Sequence, residues 1–235
     1  MSRHNETMGV VANPAQYYLE WNSEKAAFCY YDKDSSEQVP MKLPFKFLAL
    51  KFMTCITGFN EDKKLGIYSN EVIDTRFENL RVSFRDNSPI ATGLYSQIKN
   101  VVNGSGGKFT RSIYAMSTKG VIINIKLKGA QLLNFGTIEK FGKRWQDEWI
   151  LVSEFESREH EGKPYTVPKF GFGGALSVVD NGLANTAYDI IDNYFVSKQS
   201  APPVATTQAQ ARPAVADPLP ASLTWSENDN DDLPF

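Results

Sequence analysis

The sequence predicts a β-rich α+β body, a small barrel or strongly curved antiparallel sheet decorated by a few helices, followed by a tail of different composition. Three observations carry this expectation. Apolar residues recur at every second position through much of the first 198 residues, helical spacing appears in only three places, and Pro and Gly separate the segments at short intervals.

Taken in order, Ala26 to Tyr31 is a short aromatic and apolar strand, and Phe45 to Thr57 is a long one bounded by Pro44 and Gly58. Ile67 to Asp74 follows. Leu80, Val82 and Phe84 alternate with Arg81, Ser83 and Arg85, a pattern with one buried and one solvated face. Leu94, Ile98, Val101 and Val102 have helical spacing, and Lys108 to Met116 resumes the strand pattern after a Gly-rich turn. Val121, Ile123, Ile125 and Leu127 alternate with Ile122, Asn124, Lys126 and Lys128. A second helix is expected over Leu132 to Phe141, strands at Trp149 to Phe155 and Tyr165 to Val167, and a third helix over Leu183 to Phe195, carrying Ala187, Ile190, Ile191 and Tyr194. No internal repeat is present.

The overall composition, 42% hydrophobic and 22% charged with a formal net charge of -2 over 235 residues, excludes a wholly disordered, collagen-like or coiled-coil chain. No apolar run approaches the roughly 18 residues of a membrane span, and Met1 to Pro14 lacks a leader pattern, so a soluble cytoplasmic protein without membrane contact is expected. Cys29 and Cys55 lie in apolar runs without Cys-x-x-Cys spacing, and His4 and His160 are far apart, which argues against a disulfide scaffold, a metal centre or a cofactor held by such ligands.

The average charge conceals an asymmetry. From Gln199 onward the only base is Arg212, against Asp217, Glu227, Asp229, Asp231 and Asp232, so the tail carries -4 while the preceding 198 residues carry +2. Residues 199 to 226 read as an Ala/Pro-rich disordered linker, too poor in apolar surface to offset its ordering entropy. Residues 227 to 235 form an acidic tip that ends Asp231-Asp232-Leu233-Pro234-Phe235. Such an ending is a complete peptide ligand, with Phe235 for an apolar pocket, a terminal carboxylate for Arg or Lys, and Pro234 limiting the freedom lost on docking.

This ending closely resembles the C-terminal tip of bacterial and phage single-stranded DNA-binding proteins, which join an OB-fold domain to a disordered linker and an acidic tip. The resemblance implies an OB-fold-like barrel in residues 1 to 198 and recruitment of replication and repair proteins by the tip. Within the body, Tyr30-Tyr31-Asp32-Lys33, Leu43-Pro44-Phe45, Ile56-Thr57-Gly58-Phe59 and Gly66-Ile67-Tyr68-Ser69-Asn70-Glu71-Val72 look like phage-encoded proteins of replication rather than the shorter domain of the cellular ones.

Single-strand binding needs cations along a groove and aromatic faces for the bases. The candidates are Tyr30, Tyr31, Tyr68, Arg81, Arg85, Lys108, Arg111, Tyr114, Lys126, Lys128, Lys143, Arg144 and Trp145, with Asp231 to Phe235 as the partner-binding tip. Because the body carries only +2, affinity must come from a local patch, for which the acidic tail is expected to compete. Asn103-Gly104-Ser105-Gly106-Gly107-Lys108 lacks phosphate-loop spacing and reads as a hairpin or a helix-to-strand loop, and Lys169 to Gly173 is only a faint echo of an RNA-recognition signature. The expectation is a non-enzymatic coat for single strands in DNA replication, recombination or repair. A tip-bearing adaptor that does not bind DNA is the alternative, and a Mg²⁺ nuclease built on Glu154, Glu156, Glu159 and Glu161 a more distant one. Homo-oligomerisation is left open.

Overall fold

A computed structural model describes residues 12–32 and 34–200. The linker beyond Ser200, the acidic tip and His4 lie outside the described residues. The strands are β1 (Tyr17–Asn22), β2 (Ala27–Asp32), β3 (Glu37–Pro40), β4 (Phe45–Asn60), β5 (Leu65–Ser69), β6 (Leu80–Phe84), β7 (Pro89–Gly93), β8 (Gly107–Ser117), β9 (Ile122–Lys128), β10 (Glu148–His160) and β11 (Lys163–Ala175). The helices are α1 (Tyr95–Gly104), between β7 and β8, α2 (Ala130–Glu139) and the short α3 (Arg144–Asp147), between β9 and β10, and α4 (Val178–Ser200) after β11.

The strands join in one large sheet of order β3-β2-β1-β9-β8-β4-β5-β6-β7, with β10 added to β4 and β11 to β10. The expected antiparallel arrangement is corrected. The sheet is mixed, because β1 lies parallel to β9 with Tyr17 opposite Ile123 and Glu20 opposite Lys126. It is also open among the described residues, since β3, β7 and β11 each pair on one side only. Period-two alternation identifies a strand and its inner face but contains nothing about the direction of its neighbour, which is why the parallel pair was not visible in the sequence.

Three apolar clusters hold the sheet. The largest fills the concave side and contains Leu19, Trp21, Phe28, Phe47, Ile113, Ile125, Ile150 and Val152, with Phe135 and Ile138 of α2 closing one end. Around it, side chains bring β11 to the β1–β2 turn. The Trp21 Nε1–H donates to the Thr166 carbonyl at 2.8 Å, and the Thr166 N–H donates to Ser23 Oγ at 2.6 Å. On the opposite face α4 lays Ala184, Ala187, Ile191, Tyr194 and Phe195 over Leu48, Met53, Tyr114 and Met116. The third cluster packs α1, through Ile98 and Val102, onto Ile56, Ile67, Leu80, Val82 and Phe84.

The Gly-rich segment is the helix-to-strand loop from α1 into β8. Its composition follows from close backbone approach: a Cβ on Gly58 would run into the Gly106 carbonyl oxygen, and one on Gly106, at φ +90°, into that of Phe59.

Candidate nucleic-acid interface

Alternation along β8 puts Ile113 and Ala115 into the concave cluster and Tyr114 and Met116 under α4, so the two faces can be followed through the sheet. On the α4 side, successive cross-strand rows run from covered to open. In the covered row Tyr18 lies opposite Asn124, Asn124 opposite Tyr114, and Tyr114 opposite Lys51, whose ammonium pairs with Asp192 of α4 at 2.7 Å. One row along, Glu20 faces Lys126, Lys126 faces Ser112, and Ser112 faces Met53. Beyond it Lys128 faces Thr110 and Thr110 faces Cys55. The last row, clear of α4, runs Lys108, Thr57, Tyr68, Ser83 across four strands.

The centre of this face is a buried polar network. Glu71 enters it from the segment after β5, which is tied to β4 by paired backbone hydrogen bonds between Thr54 and Val72. Its carboxylate accepts from Ser112 Oγ at 2.5 Å, Tyr114 Oη at 2.8 Å and Lys126 Nζ at 2.9 Å. The ammonium of Lys126 uses its other two donors on Ser112 Oγ and Cys55 Sγ, and Ser112 also accepts from Asn124 Nδ2. Burial opposes the Glu71 charge, yet the Lys126 ammonium and the hydroxyl donors outweigh it and hold the carboxyl below its ordinary value. Burial likewise opposes the charge on Lys126, whose contacts with Cys55 and Glu71 keep it protonated. Burial and the adjacent Glu71 charge push the Tyr114 phenol up, so it stays a hydrogen-bond donor.

Tyr114 and Lys126 are therefore corrections. Tyr114 is fully buried beneath Phe195, with ring centroids 5.2 Å apart, and Lys126 serves the Glu71 network. Alternation puts Tyr114 and Lys126 on the predicted face, but a helix covers the first and a carboxylate that is distant in sequence claims the second. Around the network, Tyr31 is half-buried and Lys108 partly exposed, Arg81 and Arg85 are exposed, and Tyr68 is 46% exposed. Lys128 shares this face and pairs with Glu20 at 2.9 Å.

The remaining candidates lie elsewhere. Tyr30 turns to the concave side, edge-on to Tyr17 at 4.9 Å. Arg111 lies over the Phe52 ring at 5.7 Å and reaches Glu139, while Trp145 packs on the same Phe52 at 4.4 Å. Beside them Lys143 is exposed and Arg144 sits 4.1 Å from the Phe172 ring centroid, paired with Glu148. Apart from Tyr30 on the concave side and the buried Tyr114 and Lys126, the candidates divide between the α4-side face and a basic, aromatic patch around α3.

Sequence reasoning missed Glu71, Phe77, which is 79% exposed, and the edge-on contact that brings Phe141 to Phe172. The isolated bulky residue at Phe77, outside any periodic run, was the one available signal. Among the acidic residues considered for Mg²⁺, Glu154 lies 3.7 Å from Lys169 and Glu156 accepts from Arg158; among the described residues no group of three or more His, Cys, Asp or Glu gathers in a metal-holding arrangement. No helix of the described chain is long and apolar enough to cross a membrane. Comparison with protein-family models, curated proteins and solved structures returns no match.

Proposed function

We propose that the protein coats single-stranded DNA without reading its sequence, in replication, recombination or repair, and recruits partner proteins through its acidic C-terminal tip. The observation that carries this reading is the open row of the α4-side face. There Tyr68 shares a transverse line with Lys108, and Arg81 and Arg85 belong to the next strand and its turn. An aromatic ring beside cations on a sheet face is what a flexible phosphodiester with unstacked bases requires. The lobe formed by β1, β2, β9, β8, β4, β10 and β11, curved around one core and closed at one end by α2, is the part that we read as OB-fold-like.

Fluorescence anisotropy of a labelled oligo-dT tests this with the full chain, across about 50 to 300 mM salt. Affinity that falls with salt is expected, with Tyr68→Ala weakening it at every salt concentration and Arg81→Ala lowering the salt slope by roughly 0.7. A second reading, an adaptor that carries the same tip but does not bind DNA, is favoured by the pairing of Lys126, Lys128, Arg111 and Arg144 with carboxylates. It predicts no affinity even at the lowest salt.

A further inference from the structure

The chain leaves the polar face after Glu71 and returns to it at Arg81, and the loop between them displays the most exposed aromatic ring among the described residues, Phe77. This loop is built rather than slack. The Glu78 carboxylate accepts the N–H groups of both Ile73 and Asp74 at 2.9 Å, and Asp74 Oδ1 accepts the Arg76 N–H at 2.9 Å. At its base Asn70 spans the opening, donating to the Asn79 carbonyl at 3.1 Å and accepting the Arg81 N–H at 2.6 Å. Arg76 is clamped by Asp74 through two guanidinium nitrogens and lies 5.4 Å from the centroid of the Phe77 ring.

The phenyl ring, carried into water on this hydrogen-bonded loop, belongs to none of the core clusters. The loop that carries it is already ordered, so a flat partner would have little backbone left to order. The loop rejoins the sheet at Arg81, on the strand that supplies Ser83 to the row of Tyr68 and Lys108. We infer that Phe77 is a stacking platform for an unpaired nucleobase, with the phosphates of the same strand held by the cations of the open row. This rests on the single-strand-binding reading and adds to it a contact outside the sheet. An unpaired base fits better than a protein side chain because every base offers a π-face to an isolated ring, whereas a protein anchor of this size seats in a groove.

The test uses the full-length protein and labelled oligo-dT. Phe77→Ala is expected to weaken binding about 5- to 100-fold with an unchanged salt slope, because a stacking contact and no charge is lost. Phe77→Trp is expected to restore the affinity, and its added indole fluorescence to be quenched on titration with oligo-dT beyond any quenching seen in wild type. Wild-type affinity in Phe77→Ala, together with no additional quenching in Phe77→Trp, would overturn this assignment and leave the proposed function standing. No binding by the wild-type protein would overturn both. Because Phe77 is exposed, the melting temperature of both variants is expected to stay near wild type, which separates a binding loss from a folding loss.

Discussion

Lys126 shows how a base that looks like binding chemistry in a linear reading becomes architecture once Glu71 is delivered to it in three dimensions. Removing Lys126 leaves a carboxylate among Ser112, Tyr114 and Cys55 without its counter-ion, so Lys126→Met should destabilise the fold by about 3 to 5 kcal/mol, read as a lower urea midpoint. The pH dependence has a definite sign. Glu71 is held below its ordinary value of 4.5, so its contribution is complete above that pH in the folded state and is lost as the pH falls through the lower folded value. Urea midpoints measured from pH 3 to 7 should therefore drop on the acid side in wild type, and Glu71→Gln should flatten that limb while lowering the neutral-pH midpoint. The bases were legible in the sequence, but their partners were not, since 55 residues separate Glu71 from Lys126. Charge pattern along a strand identifies a face; it cannot say which opposite charge a distant loop delivers to it.

Among the elements, α4 offers the sharpest contrast. Ile190 and Ile191 are adjacent and chemically identical, yet Ile190 is 47% exposed and Ile191 fully buried against the sheet. Ile191→Ala should cost about 2 to 5 kcal/mol and Ile190→Ala under about 0.5 kcal/mol, a difference visible in thermal melts. A second prediction concerns the α1–β8 loop. Gly106→Ala combines a left-handed φ of +90° with a Cβ against a carbonyl oxygen, so it should lower the melting temperature by more than a surface substitution does. Elements with a buried face and a solvated one, such as β6 and β9, could be read from alternation. The full extent of β11 could not, because Pro164, Pro168, Gly171, Gly173 and Gly174 interrupt any strand pattern. The strand tolerates them because it pairs only with β10 and lies at the sheet's edge, where a missing N–H donor breaks no second ladder. β1, β3 and β7 were missed: β1 opens on two exposed tyrosines that blur its alternation, β3 ends on Pro40, and β7 runs from Pro89 to Gly93 with no alternation of apolar and polar residues.

At the scale of the molecule, the same sheet serves two purposes on one face. Near α4 it is core, and at its far rows it is open to solvent, with the Glu71 network as the boundary between them. On the function proposed above, the cations that meet the strand are carried by this sheet and its turns. Binding should then leave the body's stability curve shifted upward in the presence of oligo-dT without a change in cooperativity, as measured by thermal melts with and without the oligonucleotide. The charge asymmetry between body and tail was legible from composition alone, whereas the division of the candidate residues between the α4-side face and the α3 patch required the fold.

β4 supplies Phe45, Phe47 and Ala49 to the concave cluster, Leu48 and Met53 to the α4 cluster, and Ile56 to the α1 cluster. It is the common wall of three rooms. None of the three can be vacated without exposing a side of the others, so the body should resist being divided: a chain severed in β4 just after Ile56 would leave two fragments that each lack part of every core, and the slowest-exchanging amides of the whole protein should line this one strand.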